Sequence, residues 1–118
     1  MGYTTEFEGR FNLNKPLTDG LTAELVAFSK QRHGGNTDHF PGMPGFWCDW
    51  APTEDGRGIE WNGSEKFYSY TAWLQYLIDN FLTPAGYSLT GSVKWRGEGF
   101  DDLGTLSVVD GRAVEGPF

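Results

Sequence analysis

The chain has 118 residues, room for one domain of ordinary size, and sixteen Asp plus Glu against nine Lys plus Arg give it a formal charge of -7. That is the wrong sign for a protein that coats nucleic acid or anionic lipid. A single cysteine, Cys48, excludes an internal disulfide and a cysteine zinc cluster, and a composition that is 38% hydrophobic and 16% aromatic excludes a disordered chain.

Residues 1–10 are polar and carry Glu6 and Glu8, which is not the pattern of a signal peptide. The richest apolar stretch, 72–82, is broken by Gln75, Asp79 and Asn80, far short of the roughly 20 residues of a membrane span. The expectation is a cytoplasmic protein without a membrane partner. Tyr3, Phe7, Phe11 and Leu13 share one parity against Thr4, Glu6, Glu8, Arg10 and Asn12, the pattern of a half-buried strand. Pro16 breaks it. Thr18 is placed to cap a helix running to about His33, with Leu21, Leu25, Phe28 and Val26 as its apolar stripe and Gly34-Gly35 as its stop.

Residues 36–45 hold two prolines and two glycines without periodicity and read as a surface loop. Phe46, Cys48 and Trp50 then alternate with Trp47, Asp49 and Ala51 as a second strand. Turn chemistry at residues 52–56 separates it from a third strand through Ile59 and Trp61. Ser64 is placed to cap the strongest helix, in which Phe67, Tyr70, Trp73, Leu74, Leu77, Ile78, Phe81 and Leu82 recur at helical steps. Glu65 lies in its first turn, and Pro84 and Gly86 end it. Leu89, Gly91, Val93 and Trp95 form a fourth strand, and Asp110-Gly111 marks a tight turn in a terminal hairpin over residues 103–114.

Strand, helix, two strands, helix, strand is the ferredoxin-like split βαβ order, here with an extra C-terminal hairpin. The expected fold is α+β: both helices on one face of a mostly antiparallel sheet. With no repeat, linker or low-complexity segment, residues 1–118 read as a single α+β domain.

Several clusters could carry chemistry. His33 and His39, with Asp38, flank the glycine pair, but their spacing matches neither a helical pair nor a zinc finger, so no metal is expected. Glu54 and Asp55, with Arg57 two residues on, have the residue types of a general acid and base or a magnesium site, and equally those of a hairpin turn. Glu98, Asp101 and Asp102 form a second acidic group among glycines, read as a solvated loop because the alternating calcium-ligand pattern is missing. Cys48 shares the parity of Phe46 and Trp50, which predicts a buried, inert thiol. No G-x-S-x-G, P-loop, G-x-G-x-x-G or H-E-x-x-H occurs.

The aromatics are the strongest lead. Trp47, Trp50, Trp61, Trp73 and Trp95 cannot all be central core in so small a domain, and Trp47 has the outward parity. Exposed rings beside acids suit a protein partner or a stacked small ligand, and Tyr68, on the polar flank of the second predicted helix, joins them.

Residues 45–56 (GFWCDWAPTEDG), Glu65-Lys66-Phe67-Tyr68, Trp73-Leu74 and Tyr76-Leu77-Ile78, followed by a strand matched by residues 86–95, resemble a set of small uncharacterised proteins from bacteriophages, prophages and actinobacteria. What the resemblance implies is a small accessory protein, phage-encoded, that acts in a bacterial cytoplasm by engaging or inhibiting a host protein, counter-defence included. The expected function is therefore non-enzymatic binding, with no catalytic residue, metal or cofactor. Trp47, Asp49, Glu54, Asp55, Arg57, Tyr68, Asp101 and Asp102 are the candidate binding residues. The alternative is a nucleotide-like signal held between Trp rings and an Arg such as Arg57; a hydrolase built on Glu54, Asp55 and the histidines is a third reading.

Overall fold

The computed structural model describes residues 5–33, 45–64, 67–99 and 101–117. Tyr3, the Gly34-Gly35 stop, His39, Asp38, the 36–44 loop and Glu65 lie outside the described residues. The first predicted strand is two, β1 (Glu6–Glu8) and β2 (Phe11–Leu13), interrupted at Gly9 with φ +105°. Gly91 on the facing strand β5 (Leu89–Arg96) has φ +108°. One antiparallel register runs through the break, with Glu8 opposite Lys94 and Asn12 opposite Thr90. The two glycines thus bend a strand pair without letting it slip, in a conformation that costs a side-chain-bearing residue more. Phe11 is buried and Phe7 half-buried, while Glu6, Glu8 and Asn12 face solvent, as the alternation predicts.

Helix α1 (Asp19–Ser29) starts where predicted: the Thr18 hydroxyl accepts from the Leu21 amide at 3.2 Å. Leu21, Leu25 and Phe28 are buried along one face. The helix ends at Lys30 rather than His33, because the chain turns inward there. The His33 amide donates to the Phe46 carbonyl at 2.6 Å, and its imidazole, 3.0 Å from the Phe28 carbonyl, is packed between Phe28 and Trp73. Instead of lying exposed at a helix end, His33 is fully buried.

Strands β3 (Trp50–Pro52) and β4 (Gly58–Trp61) form the predicted hairpin, Trp50 opposite Trp61. The strand predicted from Phe46 begins only at Trp50. Alternation therefore fails over residues 46–49: Phe46 is exposed where inward was expected, and Asp49 is buried where outward was expected. Helix α2 (Tyr70–Leu77) likewise starts later than Ser64, after Ser69 in the left-handed region at φ +57°. The cause is packing. Phe67 is buried against Trp50 and Phe7, at ring separations of 5.3 and 5.8 Å, and the Trp50 indole N–H donates to the Tyr70 carbonyl at 2.8 Å. These contacts tie the approach to α2 to the sheet before the helix can wind. Beyond Leu77 the chain continues as a π-helical turn (Ile78–Leu82) and a short 3-10 turn (Thr83–Ala85), stopped at Gly86 with φ +84°.

The C-terminal third is a meander of β5, β6 (Leu103–Val109) and β7 (Arg112–Gly116). Asp110 and Gly111, at φ +50° and +79°, form its tight turn with the positive dihedrals that a type I′ hairpin requires. Among the described residues the strands make one seven-stranded sheet, ordered β3-β4-β2-β5-β6-β7 with β1 also on β5, and every pairing in it is antiparallel. The hairpin therefore extends the main sheet. Phe28 of α1 meets Trp73 and Tyr76 of α2 at 5.7 and 6.0 Å, so the helices share a face. Gln75 of α2 fastens the hairpin, donating to the Gly111 carbonyl at 3.0 Å and accepting from the Ala113 amide at 2.8 Å. The molecule is α+β, a mostly antiparallel sheet with two helices.

Candidate functional site: an aromatic groove with a carboxylate at its floor

Because residues 46–49 are not a strand, they leave the sheet's regular geometry and open a groove of about 1040 Å³. One wall is the last turn of α1 with Val26, Ser29 and Lys30; the floor carries Phe46, Trp47 and Asp49; the opposite wall is the stretch after β4 with Asn62, Ser64 and Tyr68. Each side chain has a local reason for its place. The Phe46 carbonyl is held by the His33 amide, and the Arg32 guanidinium sits 4.6 Å from the Phe46 ring. Cys48 points into the core, its thiol pushed up to about 12 by burial, which makes it packing rather than a nucleophile. Its neighbour Trp47 faces out. Phe67 is buried, and the next residue, Tyr68, faces solvent ahead of left-handed Ser69.

Asn62 sets the position of Asp49. Its backbone amide donates to the Asp49 carbonyl at 2.9 Å, and its side-chain oxygen accepts from the Ser64 amide at 2.9 Å. That leaves the Asn62 side-chain NH₂ as the donor to the Asp49 carboxylate. Asp49 is only 4% exposed, and burial pushes its carboxyl up to about 6, against the lowering effect of the Asn62 hydrogen bond. Among the described residues no cation lies within ion-pair distance of it.

The aromatic side chains divide into two populations. Trp50 and Trp73 are fully buried, Trp61 and Trp95 half-buried, and Phe7 and Phe28 each touch four other rings. Phe46, Trp47 and Tyr68 are 55%, 47% and 59% exposed, and among the described residues no other ring packs on Trp47 or Tyr68. These are the rings that line the groove.

Of the sequence-derived candidates, Trp47, Asp49 and Tyr68 come together here. Glu54, Asp55 and Arg57 sit in the β3–β4 turn and do not line the groove. Asp55 fastens that turn, accepting from the Thr53 hydroxyl, the Arg57 amide at 3.0 Å and Arg10 Nη1 at 3.1 Å; these contacts, Thr53 foremost, hold its carboxyl down at about 2. Asp101 and Asp102 belong to the β5–β6 connection, closed by Gly97 donating to the Asp102 carbonyl at 2.7 Å. Tyr68, expected on a helix flank, precedes the helix. Among the described residues no three His, Cys, Asp or Glu side chains cluster to hold a metal.

Sequence reasoning missed Phe46, Lys30 and Asn62. For Asn62 a signal existed: Asn62-Gly63-Ser64 directly after a strand is the pattern of a side chain bonding the backbone two residues on. Compared with known proteins, the chain matches no family model, no curated protein and no solved structure.

Proposed function

We propose that this is a non-enzymatic binding protein that seats an exposed segment of a partner protein in the groove between α1, residues 46–49 and residues 62–68. The observation that carries the reading is the meeting of three solvent-exposed aromatic rings and one buried carboxylate in a single concavity. A few residues carry most of the energy at a protein interface, and Trp and Tyr are enriched among them. Rings left open to water gain that energy when a partner covers them. The charge of -7 steers a basic partner surface toward this chain. The resemblance to phage and prophage proteins implies a partner in a bacterial host and, by analogy, a counter-defence role.

The nucleotide-like alternative draws less support. Arg57 does not line the groove, Lys30 is its only lining cation among the described residues, and a carboxylate at the floor repels phosphate. The strand order β3-β4-β2-β5, antiparallel throughout, with α1 joining β2 to β3 and α2 joining β4 to β5, supports the ferredoxin-like split βαβ arrangement, extended by β6 and β7.

The test is affinity capture from bacterial lysate with three baits: the wild type, a W47A/Y68A variant, and a V109S/V114S variant altered at exposed apolar residues outside the groove. A partner held by the wild type and V109S/V114S but lost by W47A/Y68A is the expected result. Equal capture by all three contradicts the reading.

A further inference from the structure

Asp49 raises a physical question that its place in the fold does not answer. A carboxylate at 4% exposure needs a counter-charge or a full set of hydrogen bonds to offset the loss of water. Among the described residues Asp49 has neither: the Asn62 side chain satisfies part of its acceptor capacity, and no cation pairs with it. The groove that it lines also carries Val26 and the rings of Phe46, Trp47 and Tyr68, with Ser29, Lys30 and Ser64 as its other polar lining. A ring-lined groove with one buried negative point is complementary to a positive charge on an apolar stem. The stem covers rings, the head reaches the carboxylate, and aromatic faces add attraction for the cation.

We propose that the groove recognises a cationic side chain, lysine or arginine, presented by the partner segment, with Asp49 as its counter-ion and Phe46, Trp47 and Tyr68 packing its stem and flanking residues. This deepens the reading of the groove as a partner site and rests on it. Asp49 discriminates by charge, while the rings supply affinity that is indifferent to it. Among the described residues, the other ionisable side chains lining the groove are Lys30 on α1 and Tyr68 on the opposite wall. Burial raises the Asp49 carboxyl to about 6, so recognition is expected to depend on pH between pH 5 and pH 7.

The experiment uses three blocked tripeptides, acetyl-Leu-Lys-Leu-amide, acetyl-Leu-Arg-Leu-amide and acetyl-Leu-norleucine-Leu-amide, titrated into the full chain with binding followed by amide chemical shifts. The lysine or arginine peptide should bind at least tenfold more tightly than the norleucine peptide at pH 7, and the preference should shrink at pH 5. In Asp49→Asn, an isosteric change, the preference should vanish while norleucine binding stays within about twofold. Should that variant fail to fold, the pH dependence in the wild type carries the same decision. Equal binding of all three peptides at the groove overturns the cationic specificity and leaves the partner site standing. Binding by none of them overturns this inference, as do concentration-dependent shifts at the groove without peptide, which would make a second copy of the chain the occupant.

Discussion

Asn62 grips Asp49 at two points: its backbone amide donates to the Asp49 carbonyl at 2.9 Å, and its side chain donates to the carboxylate. A buried acid is thereby fixed between two loops in the lining of the groove, instead of turning out to water. The arrangement is costly for the fold. Residues that cost stability yet are held firmly by their neighbours are what binding sites contain.

That cost has a sign. The Asp49 carboxyl titrates at about 6 in the folded chain and near the ordinary carboxylate value of about 4 once unfolded, so the native state binds the proton more tightly. Stability therefore falls as pH rises from about 4 to about 6 and is level above that. Asp49→Asn removes the penalty. It should raise stability at pH 7 by about 1 kcal/mol, since the ceiling of about 3 kcal/mol set by the shift is cut by water in the groove, and should leave stability unchanged at pH 4. Urea titrations at both pH values check this, and a destabilised variant at pH 7 would contradict it.

The tryptophans should separate cleanly. Trp47→Ala is expected to change folding stability by less than about 0.5 kcal/mol, because the ring packs on no other among the described residues. Trp50→Ala or Trp73→Ala removes a fully buried ring and should cost about 3–5 kcal/mol. Thermal melts of the three variants measure the contrast, and a Trp47 loss in the range of the other two would return that residue to the core.

The difference between Trp47 and Trp50 marks what was legible in the sequence. The Thr18 cap and the Asp110-Gly111 turn are local signals that appear where the sequence puts them, whereas the helix expected from Ser64 through Leu82 is α-helical only over Tyr70–Leu77 and π-helical over Ile78–Leu82. Trp47 and Tyr68 stand out as aromatics on a polar register. Phe46 and Asp49 defeated the reading because parity holds only inside a strand, and β3 begins at Trp50. The late start of α2 is equally nonlocal, set by Phe67 meeting Phe7, sixty positions away in sequence. Lys30 reaches the groove from a helix end that spacing placed three residues too late.

Asp55 carries the opposite sign to Asp49. Its carboxyl is held at about 2 by the Thr53 hydroxyl, the Arg57 amide and Arg10, below its unfolded value, so its contribution is present above about pH 4 and is lost as pH falls toward 2. Asp55→Asn should lower the thermal midpoint at pH 7 and flatten the acid limb between pH 4 and pH 2. A melt series over that range shows either the flattened limb or, against this assignment, one parallel to the wild type.

The acids outside the groove act at a distance. Neutralising Glu54, Asp101 and Asp102, all placed away from the groove, should slow association with the captured partner severalfold at low salt and leave dissociation nearly unchanged. Surface plasmon resonance at two salt concentrations reads both rates, and an effect confined to dissociation would place those acids in direct contact.

Partner binding is expected at one groove. Amide chemical shifts of the labelled chain, recorded with and without the captured partner, locate it. Perturbations concentrated at Lys30, Phe46, Trp47, Asp49, Asn62 and Tyr68 are the expected result. A map centred instead on the β3–β4 turn around Glu54 and Asp55, or on the β5–β6 connection around Asp101 and Asp102, would contradict it.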